Sequence, residues 1–127
     1  MTKCQVIRAD HVETIADIPV VIIGGGGTGL TAALAVRDAG VDVLVVERDS
    51  QPMGTTAMST GLIPAAGSRI QRAKGIEDSP AQFAADVEAK TKGAVDTHLV
   101  AHLALQSART VDWLAETHKL DLSLVEG

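Results

Sequence analysis

The chain has 127 residues, of which 46% are hydrophobic and 21% are charged, so it is long enough for one domain and too apolar to stay disordered. Its net charge of −5 argues against a nucleic-acid partner, because binding to phosphates requires a basic patch. The single cysteine, Cys4, cannot form an internal disulfide, and the first residues hold no apolar signal core, which together predict a cytoplasmic location. Only 2% of the residues are aromatic, so we expect a core that is built from small aliphatic side chains or is incomplete.

Residues 1–17 are polar, and we interpret them as an N-terminal leader that precedes a single domain at 18–127. Residues 18–36 carry no charge, a length that could cross a membrane. However, four consecutive glycines separate a β-branched block from an Ala/Leu-rich block, which indicates a strand, a turn and a helix. We therefore predict no membrane span.

A second β-branched run at 41–46 follows this helix, after Gly40. A strand, a helix and a strand within about thirty residues predict a βαβ unit. Both strands are almost continuously apolar, which is typical of a parallel sheet covered on both faces. The fold class is therefore predicted to be α/β and Rossmann-like, continuing into a long hydroxyl-rich loop at 48–67.

The last third of the chain is predicted to be helical. Ser68 is placed to cap a short helix over 69–74, and Ser79 to cap a helix that runs to about Lys92, with Gln82 completing a capping box. Asp96 is placed to cap a third helix that reaches His118, with a break near Ser107. Residues 120–125 alternate between apolar and polar, which predicts the start of a strand and therefore an incomplete domain.

The chemical signal of the sequence is Gly24–Gly29, which satisfies G-x-G-x-x-G between the predicted strand and helix. Gly24 suits the tight turn, Gly26 the close approach of a pyrophosphate, and Gly29 the close packing of helix on strand. The positive end of the helix attracts anions without a basic side chain, which explains how an acidic chain can hold an anionic cofactor. The motif predicts dinucleotide binding.

Glu47 closes the second strand 18 residues after Gly29, where a carboxylate would bind ribose hydroxyls and repel a 2′-phosphate. NADP is therefore disfavoured. The hydroxyl-rich loop at 54–61 favours FAD over NAD, because small residues and hydroxyls suit a loop against phosphates and a flat ring system. An NAD-binding dehydrogenase domain stays as an alternative.

Three stretches together resemble the FAD-binding N-terminal region of the fumarate reductase/succinate dehydrogenase flavoprotein family, which includes soluble fumarate reductases and 3-ketosteroid dehydrogenases. They are 21–47, the loop at 54–61, and Val111-Asp112-Trp113-Leu114. The resemblance implies that the chain binds and orients FAD in a flavin-dependent oxidoreductase that passes a hydride between flavin and a C–C bond. The cofactor-binding residues it implies, with Gly24 in the turn, are Gly26, Gly27, Thr28 and Gly29 at the pyrophosphate, Glu47 at the ribose, Arg48 near adenine, and Thr55, Thr56, Ser59, Thr60 and Gly61 along the pyrophosphate and flavin.

The sequence departs from this family at several points. Met53 and Leu62 stand where the family often has glycines. Membrane-complex members of the family attach flavin covalently through a histidine in this loop. This chain has no histidine between His11 and His98, so flavin is expected to bind noncovalently. The family's catalytic and substrate-binding segments have no counterpart in this sequence. We therefore nominate no catalytic residue, and the sequence specifies neither the substrate nor the oligomeric state. The chain is expected to be part of a longer enzyme or, as an alternative, a truncated FAD-binding module without turnover.

His98 and His102 are four residues apart in a predicted helix, a spacing that can serve a metal ion. No third ligand accompanies them, so a solvated helix face is the preferred interpretation. No metal site is predicted.

Overall fold

The computed structural model describes residues 16–52 and 54–125. It divides into two compact units, the first ending at Gly61 and the second beginning at Leu62. Of the predicted leader, only residues 16 and 17 are described, and they are not helix or strand. Met53, which the sequence analysis singled out, lies outside the described residues.

The first unit contains a strand, a helix and a strand, in the order that the sequence predicts. These are β1 (Val20–Ile23), α1 (Gly27–Asp38) and β2 (Val43–Val46). β1 and β2 pair in parallel, with Val20 opposite Val43, to form a two-stranded sheet. Parallel pairing requires a crossover, and α1 supplies it.

The two faces of this sheet differ. Val20, Ile22, Val43 and Val45 are half-buried on the face next to α1. The opposite face carries Val21, Ile23, Leu44 and Val46, which are all exposed, with Ile23 at 89%. The expectation of a sheet covered on both faces is therefore wrong for the described residues. Continuous apolarity indicates what a strand can bury, but it does not supply an element that covers the strand.

The second unit contains three helices, α2 (Arg69–Ala73), α3 (Pro80–Thr91) and α4 (Thr97–Glu116). Each begins after the predicted cap: the side chains of Ser68, Ser79 and Asp96 accept backbone N–H groups from the first helical turn. Local capping chemistry thus defines the three starts.

The predicted capping box at α3 is wrong. Ser79 accepts the N–H of Gln82 at 3.1 Å, but the Gln82 side chain donates to Asp86 at 2.7 Å and does not turn back. The complete capping box lies at α2, where Ser68 and Gln71 satisfy each other's backbone N–H groups. The N–H of Ser79, which a capping box would give to Gln82, donates to Oδ1 of Asp78 at 2.7 Å.

The predicted break near Ser107 is also wrong, because α4 is continuous through it. The Ser107 hydroxyl donates to the Ala104 carbonyl at 2.8 Å and accepts the N–H of Ala66 at 3.2 Å. The serine thus joins α4 to residue 66 instead of interrupting the helix. Ala66 and Ala104 are among the buried apolar residues, so this contact belongs to the small-residue core of the unit.

Residues 120–125 form no strand. After α4, Lys119 adopts a left-handed φ of 57°, and the N–H of Leu120 donates to the carbonyl of Leu114 at 3.0 Å. The alternation of apolar and polar residues here is real, but a strand also needs a neighbouring strand, and none pairs with this segment among the described residues.

Candidate cofactor-binding site

The turn between β1 and α1 is the centre of the candidate site. Gly24 leaves the strand with a φ of 108°, which side chains rarely adopt, and its N–H donates to the Val46 carbonyl at 2.8 Å. Gly26 then takes the N-cap position of α1, with an extended backbone (φ −77°, ψ 178°). The turn thus brings the chain from strand to helix within three residues.

Two glycines of the motif differ in the space around them. A Cβ added at Gly29 would overlap the carbonyl oxygen of Gly24 and lie 3.3 Å from Cγ2 of Ile22, so α1 packs on β1 at backbone distance. A Cβ added at Gly26 would meet nothing closer than the Thr56 hydroxyl oxygen at 3.8 Å. There is therefore no room for a side chain at Gly29, whereas the space in front of Gly26 at the N-terminus of α1 is open.

The N-terminus of α1 lacks the side-chain cap that the other three helices have. Gly26 has no side chain that could accept a hydrogen bond, and the first α-helical bond runs from Leu30 N–H to the Gly26 carbonyl at 2.9 Å. The N–H groups of the three residues between them, Gly27, Thr28 and Gly29, have no partner inside the helix. The N–H of Gly27 donates to Thr56, and the N–H groups of Thr28 and Gly29 together with the helix dipole form a surface that attracts negative charge.

Glu47 follows β2 and contacts the same turn. Its Oε2 accepts the N–H of Gly25 at 2.6 Å, and its Oε1 accepts the N–H of Asp49 at 3.1 Å. These two hydrogen bonds, the one from Gly25 above all, lower the pKa of the Glu47 carboxyl below its usual value. The carboxylate is therefore held ionised beside the glycine turn.

Arg48 pairs with its neighbour. Its Nε and Nη2 donate to the two carboxylate oxygens of Asp49 at 3.2 and 3.1 Å. The hydrogen bonds to Asp49 raise the pKa of Arg48, and the same contact lowers the pKa of Asp49. The side chain of Arg48 is 88% exposed, so this pair stands in solvent and contributes little to stability.

Thr56 of the loop at 54–61 contacts the turn. Its Oγ1 accepts the N–H of Gly27 at 3.0 Å, and a Cβ added at Gly27 would lie at 3.0 Å from Oγ1 and 3.2 Å from Cγ2 of this threonine. The Ser59 hydroxyl donates to the Thr56 carbonyl at 2.9 Å and accepts the N–H of Gly61 at 3.1 Å. Thr55 and Thr60 lie exposed on the same loop.

Sequence reasoning missed the two contacts that organise the site. Gly25 and Gly27 occupy positions that the motif leaves free, yet their N–H groups bind Glu47 and Thr56. Four consecutive glycines, two more than this part of the motif requires, were the available signal. A side chain at Gly25 would begin 3.1 Å from Oε2 of Glu47, which is tight for a Cβ.

Other kinds of site are absent from the described part of the chain. No group of three or more metal-ligating side chains comes together within 16–52 and 54–125, and His98 and His102 stay a pair on α4. None of the helices in these ranges has both the length and the apolarity needed to cross a membrane.

Comparison with known proteins identifies the family to which the chain belongs. The model of the FAD binding domain family matches residues 19–127. A probable fumarate reductase of Shewanella frigidimarina is 36% identical over 95 residues, which cover 75% of this chain and 16% of the relative.

The chain is also similar to solved structures, among them the following two. The open conformation of a flavocytochrome c3 fumarate reductase has a TM-score of 0.68 and 35% identity, covering 76% of this chain and 17% of its own. The 3-ketosteroid Δ4-(5α)-dehydrogenase of Rhodococcus jostii has a TM-score of 0.72 and 30% identity, covering 84% of this chain and 22% of its own. The chain thus spans less than a quarter of each of these proteins. It belongs to the FAD binding domain family and corresponds to the FAD-binding domain of fumarate reductase-like flavoproteins.

Proposed function

We propose that the chain binds FAD noncovalently as part of a flavin-dependent oxidoreductase of the fumarate reductase type, which passes a hydride between flavin and a C–C bond. The observation that carries the proposal is the glycine turn at the N-terminus of α1, where the N-cap residue Gly26 has no side chain and leaves space for a phosphate. The expected domain is Rossmann-like and extends over residues 18–127. A cytoplasmic location stays a prediction of the sequence.

The residues at the turn fit the pyrophosphate of FAD. A phosphate that approaches Gly26 meets no side chain closer than Thr56, and the N–H groups of Thr28 and Gly29 have no intrahelical partner. The positive end of α1 balances part of the phosphate charge. Gly24 contributes to the turn alone.

The adenosine end would lie at the end of β2. Glu47 is ionised and sits next to Gly25, so an oxygen lone pair can accept a ribose hydroxyl in addition to the backbone N–H groups. Arg48 is exposed, and its planar guanidinium can stack on adenine while it stays paired with Asp49. The loop residues Thr55, Thr56, Ser59, Thr60 and Gly61 would follow the cofactor from the pyrophosphate towards the flavin.

FAD supplies the hydride chemistry when it is bound, and this chain's residues bind and orient it. No histidine lies in the loop at 54–61, so no covalent link to flavin is expected there. We assign no catalytic residue to this chain. Because it spans 16% of the relative's length, the groups that select and protonate a substrate would come from a region outside the matched part.

The test is an absorbance spectrum of the purified chain, with and without added FAD, repeated after acid precipitation. Flavin bands that follow the protein and pass to the supernatant on precipitation would support noncovalent binding. A colourless protein that takes up no FAD would contradict the proposal. In that case, titration with NAD tests the dehydrogenase alternative.

A matched pair of variants makes the test specific to the turn. Gly26→Val places a side chain in the open approach, at a backbone conformation that valine tolerates. Ala101→Val adds two methyl groups at an exposed position of α4, outside the candidate site. We expect the first variant to stay folded and lose FAD, and the second to keep both properties. Equal FAD affinity of the two variants would show that the pyrophosphate does not lie at Gly26.

A further inference from the structure

We draw no further inference here: the strongest candidate, the apolar groove between α3 and α4 that Phe83, Leu99 and Leu103 line, carries no proposal, because nothing in the described residues shows what covers it.

Discussion

Gly29 offers the strictest test of how the turn is built, through the variant Gly29→Ala. The added Cβ would overlap the carbonyl oxygen of Gly24, lie 3.1 Å from its carbonyl carbon, and lie 3.3 Å from Cγ2 of Ile22. Carbon atoms pack best about 3.5–4.0 Å apart, so all three contacts are too close. The Gly24 carbonyl cannot easily retreat, because it shares a peptide plane with the N–H of Gly25, which donates to Oε2 of Glu47 at 2.6 Å.

The size of the effect follows from two opposing contributions. Alanine is about 1 kcal/mol better than glycine within a helix, which favours the variant. Overpacking typically costs about 1–3 kcal/mol, and the clash with backbone atoms, which lack the freedom of a side chain, places Gly29→Ala at the upper end of that range or above it. We therefore expect a net loss of about 2 kcal/mol in the free energy of unfolding.

The assay is equilibrium unfolding in urea, followed by circular dichroism, for the wild type, Gly29→Ala and Gly54→Ala. Gly54 has open space around its Cβ position, so its variant controls for loss of glycine entropy and should change the unfolding free energy by less than about 0.5 kcal/mol. An unfolding free energy of Gly29→Ala within about 0.5 kcal/mol of the wild type would refute the argument that α1 and β1 meet at backbone distance.

Two further predictions concern side chains that accept backbone N–H groups. Glu47 has a lowered pKa, so its contribution to stability is present above its usual pKa near 4.5 and is lost as the pH falls through the lower folded value. The urea midpoint of the wild type should therefore fall as the pH is lowered below about 4.5, and the midpoint of Glu47→Gln should fall less steeply. Parallel curves of midpoint against pH for the two proteins would exclude the bonds to Gly25 and Asp49. Ser107→Ala leaves the Ala66 N–H without its acceptor in a buried place, and we expect a loss of about 1–3 kcal/mol in urea unfolding; a loss below about 0.5 kcal/mol would show that another group satisfies this N–H.

The secondary structure was predictable where residues close in sequence decide it. β-branched runs produced β1 and β2, glycine separated β1 from α1, and Ser68, Ser79 and Asp96 set the starts of α2, α3 and α4. The signals were specific because a cap or a turn is completed within a few residues. The cofactor class was predictable for the same reason, since the glycine turn and the acidic end of β2 lie within one βαβ unit.

Predictions failed where a local pattern admits several partners. Gln82 can turn back to Ser79 or reach forward to Asp86, and the structure has the second arrangement. Ser107 looked like a break in the helix, whereas its hydroxyl finds Ala66, which is 41 residues away. The alternation at residues 120–125 suits a strand, but strand formation depends on a neighbouring chain segment that the pattern cannot supply.

By itself, the sequence determined the order of strands and helices, the glycine turn and the family of this chain, because short-range sterics and capping select one conformation for each of these segments. Only the tertiary structure decided which side chains close the turn. It bonded Glu47 to Gly25 and Thr56 to Gly27, across 22 and 29 residues of chain, and it left one face of the sheet exposed. Contacts of this kind depend on how elements distant in sequence pack against each other, and no local pattern of residues encodes that packing.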